Sequence, residues 1–356
     1  MTSLIDLSSL TLNAQEALLT SEAVFEKLYA KPALQDSHIV ATGIQMQTQI
    51  PFYGQFGILG KKSLGSCNVN AETVASTGTQ KYWTPALIDF RLTHCQEDIN
   101  QLFKMWRRAE SALQTWEEME NEQVAFLADL TVDATLEAIL RITSFGDTGA
   151  LNVSGGGNIT NGTSVLYFSM IDGLWNQIYT GVAAGTLPRY TIAENAGASY
   201  AAQDNLAADR ALKAMRDLYN NIDTRARTGA GLVFQMTDSL FKNWISYLED
   251  KSLAFTLQRT EEGKGTTQWS YRGIPIIVRF DWDRNIRAYL DTGTVWYLPH
   301  RMWLTTLNNV PLGTSDESNL SDFDMFYDKT DKKHYTDVAF YIDAKFLENY
   351  MGAVAY

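Results

Sequence analysis

Leu212-Lys-Ala-Met-Arg-Asp-Leu-Tyr-Asn-Asn221 and, after a short polar connection, Gly231-Leu-Val-Phe-Gln-Met-Thr-Asp-Ser-Leu-Phe241 are the two stretches on which the reading of this chain turns. In the first, Ala208, Ala211, Leu212, Met215, Leu218, Tyr219 and Ile222 recur on one helical face, with Asp209, Arg210, Lys213, Arg216 and Asp217 on the other. That spacing predicts an amphipathic helix from Leu206 to Ile222, with Asp204 or Asn205 as its cap. In the second, Gly231 to Met236 is a short apolar run of the kind that forms a buried strand. Thr237-Asp-Ser is a helix-start signal, and Leu240, Phe241, Trp244, Ile245 and Leu248 give the helix it starts.

Towards the C-terminus, Trp269-Ser-Tyr-Arg272 and Gly273-Ile-Pro-Ile-Ile-Val-Arg-Phe280 predict a pair of strands, the second placed at a sheet edge by Pro275. Further strands are expected near Thr294–Leu298, Met302–Thr306 and Val338–Ile342. Towards the N-terminus, Ser169 to Ile178 reads as a short helix anchored by Leu174, Trp175 and Ile178. Residues 147–165 contain a triple glycine but no GxxxxGK[ST] and no clear preceding strand, so they read as loop and not as a phosphate cradle.

Before that loop lie two helices. Ile99, Leu102, Phe103, Trp106, Ala109, Leu113 and Trp116 mark the first; the second runs from about Glu122 to Thr143, apolar on more than one side, with Gly146 terminating it. From Ile50 to about Gln80, Gly54, Gly57, Gly60, Gly65 and Gly78 interrupt short apolar groups, which suits a long two-stranded extension closed by the strand Tyr82–Leu92. Such an arm needs a neighbouring surface to lie on. Residues 1–35 hold two weak helical patterns with too little apolar surface for a domain. Helix, strand, helix, hairpin and strand in this order make an α+β chain, not the alternation of a parallel-sheet enzyme.

The 356 residues are enough for about two domains, and 29 basic against 41 acidic side chains leave a net charge of −12. An acidic surface repels phosphate, which argues against gripping nucleic acid. The one dense basic cluster, Arg107–Arg108 with Lys104, reads as the solvated face of a helix. Cys67 and Cys95 make neither a disulfide framework nor a metal site, and Cys95 is expected to open a helix as a small buried residue. The N-terminus has no signal-peptide pattern, and no run approaches a membrane span, so a soluble protein made in a cytoplasm is expected. The sequons at Asn152, Asn158, Asn161 and Asn319 are then chance occurrences in polar loops.

Catalytic patterns are missing from the sequence. His38, His94, His300 and His334 share no HxxH or HExxH spacing, no GxSxG occurs, and no GxGxxG follows a strand. Asp281-Trp-Asp283, with Asp291 nearby, is the one carboxylate group that merits attention, as a cation site or an acid/base pair for glycoside hydrolysis. In an extended segment both carboxylates would share one side and Trp282 the other; the plainer reading is a solvated turn with Trp282 packed inward. Lys61–Lys62 reads as solvated charge on the extension.

The order of these segments resembles the major capsid proteins of tailed bacteriophages, the Hong Kong 97-type fold family, over most of the chain. Three stretches carry the resemblance: Ile171-Asp-Gly-Leu-Trp-Asn-Gln-Ile178; Leu212–Asn221 through Met236–Phe241; and Tyr271-Arg-Gly-Ile-Pro-Ile276 with Leu298-Pro-His-Arg-Met-Trp-Leu-Thr-Thr-Leu-Asn-Asn309. The resemblance implies an N-terminal arm over 1–49, an extended loop over 50–92, a spine helix and peripheral domain over 93–184, an axial domain over 185–290 and a return to the peripheral domain over 291–356.

In function it implies a non-enzymatic structural subunit without cofactor or metal. Such a subunit self-assembles into pentamers and hexamers of an icosahedral head in the virion and encloses double-stranded DNA without sequence readout. Portal, scaffolding and decoration proteins are implied partners, and no membrane is. Some family members crosslink through a lysine of the extended loop. Lys61 and Lys62 lie in the matching region, and with Tyr82 and Trp83 they are the expected inter-subunit contacts of that loop. The rival readings are an encapsulin-like compartment shell, a carbohydrate-active enzyme using Asp281 and Asp283, and another virion part such as a tail or decoration protein.

Overall fold

The structure is a computed structural model that describes residues 34, 36–44, 46–53, 78–95, 116–150, 165–228, 231–251, 260–261, 267–314, 324–328, 330–331 and 333–356. Residues 1–33, the part of the expected extension with Lys61, Lys62 and Cys67, the first expected helix up to residue 115 and the triple glycine lie outside the described residues.

Fourteen strands are described. One sheet has five: β1 (Val40–Ala41), β4 (Ala86–Cys95), β11 (Leu312–Thr314), β12 (Asp324–Asp328) and β13 (Lys333–Ala344). The long β13 pairs along one side with β4, from Lys333↔Cys95 to Ile342↔Ala86, and on the other with β12 and β11 in turn. A second sheet has seven strands: β5 (Arg189–Tyr190), β6 (Leu232–Met236), β7 (Thr260–Glu261), β8 (Thr267–Tyr271), β9 (Ile274–Val278), β10 (Met302–Thr306) and β14 (Ala353–Ala355), in the order β5-β14-β10-β6-β9-β8-β7. β2 (Gln49–Tyr53) and β3 (Gly78–Tyr82) form a separate antiparallel pair at the base of the expected extension.

The helices are α1 (Trp116–Phe145), α2 (Leu174–Ala183), α3 (Tyr200–Asp204), α4 (Arg210–Asn221), α5 (Thr224–Thr228), α6 (Asp238–Asp250) and α7 (Phe280–Tyr289). The mixture is α+β, as the segment order predicts.

Both faces of the seven-stranded sheet are covered, which is why its central strands β6 and β10 are buried at every residue. Successive side chains of a strand point to opposite faces. Met302 and Leu304 of β10 join a core with Met215, Leu218 of α4 and Leu240, Trp244 of α6. Trp303 points the other way, into a core built from α1, α2, α7 and the inner face of the five-stranded sheet (Ile88, Val338, Phe340, Ile342). β14 repeats the division, with Val354 on the Trp303 side and Ala353 and Ala355 on the other. At the centre of the larger core, Trp175, Trp282 and Trp303 pack mutually with ring centroids 4.5–5.2 Å apart.

Several local expectations are corrected. α4 begins at Arg210, and neither Asp204 nor Asn205 caps it; Asn243 of α6 accepts from the Ala211 N–H at 3.0 Å, and Glu194 from the Ala207 N–H at 3.1 Å. Free donors at a helix start take whichever acceptor the packing brings. β9 is not an edge strand, since it lies between β6 and β8. Pro275 is tolerated because the ladder with β6 begins at Ile276, one residue further on. Residues 294–298 form bends held by a single bridge, Asp291↔Trp296, and not a strand. The helix expected from Ser169 starts at Leu174, and Cys95 ends β4 instead of opening a helix.

Gly146 does follow the last residue of α1, but without a positive φ. Its backbone and that of Gly173 touch directly: the Gly173 N–H donates to the Gly146 carbonyl at 2.8 Å, and a Cβ on Gly173 would stand 2.5 Å from the Gly146 nitrogen.

Candidate functional site

Asp281, Trp282 and Asp283 lie in the first turn of α7, not in an extended segment or a turn between strands. Residues two apart on a helix are about 200° apart around its axis, so the carboxylates diverge instead of sharing a side. The Asp281 carboxylate meets the buried Arg279 guanidinium in two bonds, Nε to Oδ1 at 2.8 Å and Nη2 to Oδ2 at 2.7 Å. Trp282 is fully buried and donates its indole N–H to Ser144 Oγ at 3.0 Å. Asp283 points to the N-terminus of α6, where its Oδ2 accepts from the Asp238 N–H at 2.7 Å. It serves as the cap of that helix, while the Thr237 hydroxyl makes no cap bond and lies 3.1 Å from Ser239 Oγ. The spacing of two acids legible in the sequence is therefore not a catalytic pair. Among the described residues no group of three or more His, Cys, Asp or Glu side chains is placed to hold a metal ion.

Arg279 is also the hub of a polar network between the two cores. Its Nη1 donates to Gln235 Oε1 at 2.8 Å and to His38 Nε2 at 3.2 Å. His38 in turn donates from Nδ1 to the Val310 carbonyl at 3.0 Å. The ring is thereby held neutral, with burial first and the Arg279 charge second pushing its pKa down to about 3. Gln235 donates to the Ser37 carbonyl at 2.8 Å, so residues 37–38 are tied to β6 and α7 by bonds between buried groups.

Asp283 opens onto a cleft of about 760 Å³ whose walls come from the end of α3, from α6 and from α7. His300 lies on the cleft wall and donates from Nε2 to the Gln203 carbonyl at 2.9 Å, leaving Nδ1 as acceptor for the Ser239 hydroxyl at 2.7 Å. Burial lowers the pKa of His300 and raises that of Asp283 to about 6. This serine–histidine bond escaped the sequence, because the two residues are 61 positions apart in no known motif. The nearby Asp238 and Ser239 N–H groups both face the Asp283 carboxylate, so they are not free to hold an oxyanion.

Of the expected extended-loop contacts, Lys61 and Lys62 lie outside the described residues. Trp83 is buried in its own chain, and Ile44 and Trp83 stand so close to Gly313 that a Cβ there would meet both. Its neighbour Tyr82 is 43% exposed, and so differs from Trp83 in what it can offer a second molecule. An apolar surface that the sequence reading missed is the cross-strand pair Leu87 and Tyr341 on the outer face of the five-stranded sheet, both exposed. Strand alternation puts them outward; only the assembled sheet shows that both stay about half exposed.

No helix among the described residues is long and apolar enough to cross a membrane. No family model and no curated protein matches the chain. Among solved structures it is similar to a chain of the capsid of the native GTA particle (11% identity, 91% of this chain and 89% of that one, TM-score 0.47) and to one of Gordonia phage Cozz (13%, 90% and 84%, TM-score 0.46). It is also similar to a chain of the satellite phage P4 procapsid including size determination (Sid) protein, at 10% identity over 94% of this chain and 98% of that one, with a TM-score of 0.53. The two-sheet α+β architecture described here is thus, over nearly its whole length, the fold of a chain found in a phage procapsid.

Proposed function

We propose that this chain is a major capsid protein, the structural subunit of an icosahedral bacteriophage head. The observation that carries the reading is the shared fold with the P4 procapsid chain, which spans 94% of this chain. The engaged carboxylates of Asp281 and Asp283 favour a shell role over glycoside chemistry. Subunits would meet through heterologous contacts that close into rings of five and six, and many weak contacts would add up in the shell.

In this reading residues 1–49 are an arm, 50–92 an extended loop and 185–290 the axial domain. Residues 93–184 and 291–356 form the peripheral domain. The loop, with Lys61, Lys62 and Tyr82, lies on a neighbouring subunit. The net charge of −12 suits a wall that encloses double-stranded DNA without binding it tightly. Portal, scaffolding and decoration proteins would be further partners, and synthesis would take place in the host cytoplasm.

The chain is expressed alone and followed by size exclusion and negative-stain electron microscopy. Pentameric or hexameric rings, sheets or closed shells are expected. A folded chain that stays monomeric at every concentration overturns the reading.

A further inference from the structure

Two features of opposite charge have no ion-pair partner among the described residues. The first is a pair of arginines around one tyrosine. Arg272 and Gly273 form the two-residue turn between β8 and β9, with φ of 53° and 79°. The first position of such a turn favours asparagine, aspartate or glycine, so an arginine held there is under backbone strain. Its guanidinium lies 4.8 Å from the ring centre of Tyr219, and that of Arg227 lies 5.7 Å from the same ring. Neither arginine has an ion-pair partner among the described residues. The nearby Asp223 gives both its oxygens to Arg225, at 3.0 and 2.8 Å, and feels the Arg227 charge without a bond to it. Arg272 is exposed and Arg227 half-buried, so two cations held beside one tyrosine remain within reach of carboxylates from outside.

The second feature is Glu249 and Asp250, exposed in the last turn of α6. A helix C-terminus carries partial negative charge, so acids there are unfavourable and a cation is wanted. That turn contains no base, neither acid has an ion-pair partner among the described residues, and the Lys251 ammonium is directed over the Tyr247 ring, 6.0 Å from its centre.

We propose that Arg227 and Arg272 of one subunit receive Glu249 and Asp250 of the next, and that this charge pairing sets the orientation of neighbours in the ring. The inference rests on the capsid reading. Two different patches that complement each other are what a heterologous, ring-closing contact needs. On a chain with 41 acidic and 29 basic side chains, a second copy is a ready source of carboxylates. DNA is the poorer partner: two guanidiniums neutralise about two phosphates, too few to offset the repulsion from the rest of the surface.

The test is charge exchange in the full chain. The Arg227→Glu/Arg272→Glu variant and the Glu249→Arg/Asp250→Arg variant should each raise the concentration needed for ring or shell formation by tenfold or more, with unchanged circular dichroism. Combining all four changes in one chain should restore assembly to within a few-fold of wild type, whereas either half alone should not. Added salt should weaken wild-type assembly. If the wild type assembles and either half-reversal assembles equally well, or if the combined variant is no better than the halves, this pairing is wrong while the capsid reading stands. If the wild type binds a short DNA duplex and the arginine reversal abolishes that binding, the patch belongs to DNA. A wild type that never self-associates overturns both readings.

Discussion

Arg279 and Asp281 form a two-bonded ion pair inside the protein, both nearly inaccessible to solvent and only two residues apart at the junction of β9 and α7. Removing one member of such a pair leaves a buried charge uncompensated, which typically costs about 3–5 kcal/mol. Asp281→Ala should therefore lower the unfolding free energy by roughly that amount, measured by urea titration. A loss of under about 1 kcal/mol would show that the guanidinium finds enough compensation in Gln235 and Ser144 alone.

Burial first, and the same guanidinium second, make His38 sensitive to acid. His38 is neutral in the fold with a pKa of about 3, far below the ordinary histidine value. A depressed pKa stabilises the fold fully above the unfolded value and ceases to do so as pH falls through the folded value. Between about pH 6.5 and 3 the wild type should lose up to about 1.4 kcal/mol per pH unit relative to His38→Gln. Parallel pH profiles for the two proteins would rule out the buried neutral ring as the cause.

Asp283 has the opposite sign. Burial raises its pKa to about 6, so folding takes up a proton there, and its contribution is greatest at low pH and falls as pH rises through 6. Relative to Asp283→Asn, the wild type should gain about 2–3 kcal/mol on going from pH 7 to pH 4. Because His38 drives the overall profile in the other direction, the difference between the two proteins is the quantity to measure.

Gly173→Ala places a methyl group against the backbone of Gly146, where α1 ends and α2 is about to begin. Neither backbone can yield without shifting a helix, so a loss of about 1–3 kcal/mol is expected, seen as a lower melting temperature. Gly185→Ala is a useful contrast: its φ is +70° but nothing lies within 4 Å of the added carbon, so its cost is conformational alone.

Tyr82 and Trp83 should separate stability from assembly. Trp83→Ala empties a buried site beside Ile44 and Gly313 and should cost about 3–5 kcal/mol of folding free energy. Tyr82→Ala should leave stability within about 0.5 kcal/mol of wild type while weakening assembly, as read by light scattering. Equal assembly by Tyr82→Ala and wild type would remove Tyr82 from the interface.

The elements were legible where one chemical pattern sufficed. β6 is an unbroken apolar run and is buried throughout; α4 and α6 show their core faces as 3.6-residue periodicity; Met302 to Thr306 is a strand as expected. The order of these segments was enough to reach the α+β class and the capsid-like fold. What depended on partners far away in the chain was not legible. The cap of α6 is an aspartate 45 residues downstream, the imidazole facing Ser239 comes from residue 300, and Pro275 sits in an inner strand because the ladder with β6 begins one residue beyond it. Asp281 and Asp283 looked alike in sequence. Tertiary packing gave one a buried arginine and the other a helix terminus, since a carboxylate's role is set by which donors surround it, and that is decided by chain segments distant in sequence.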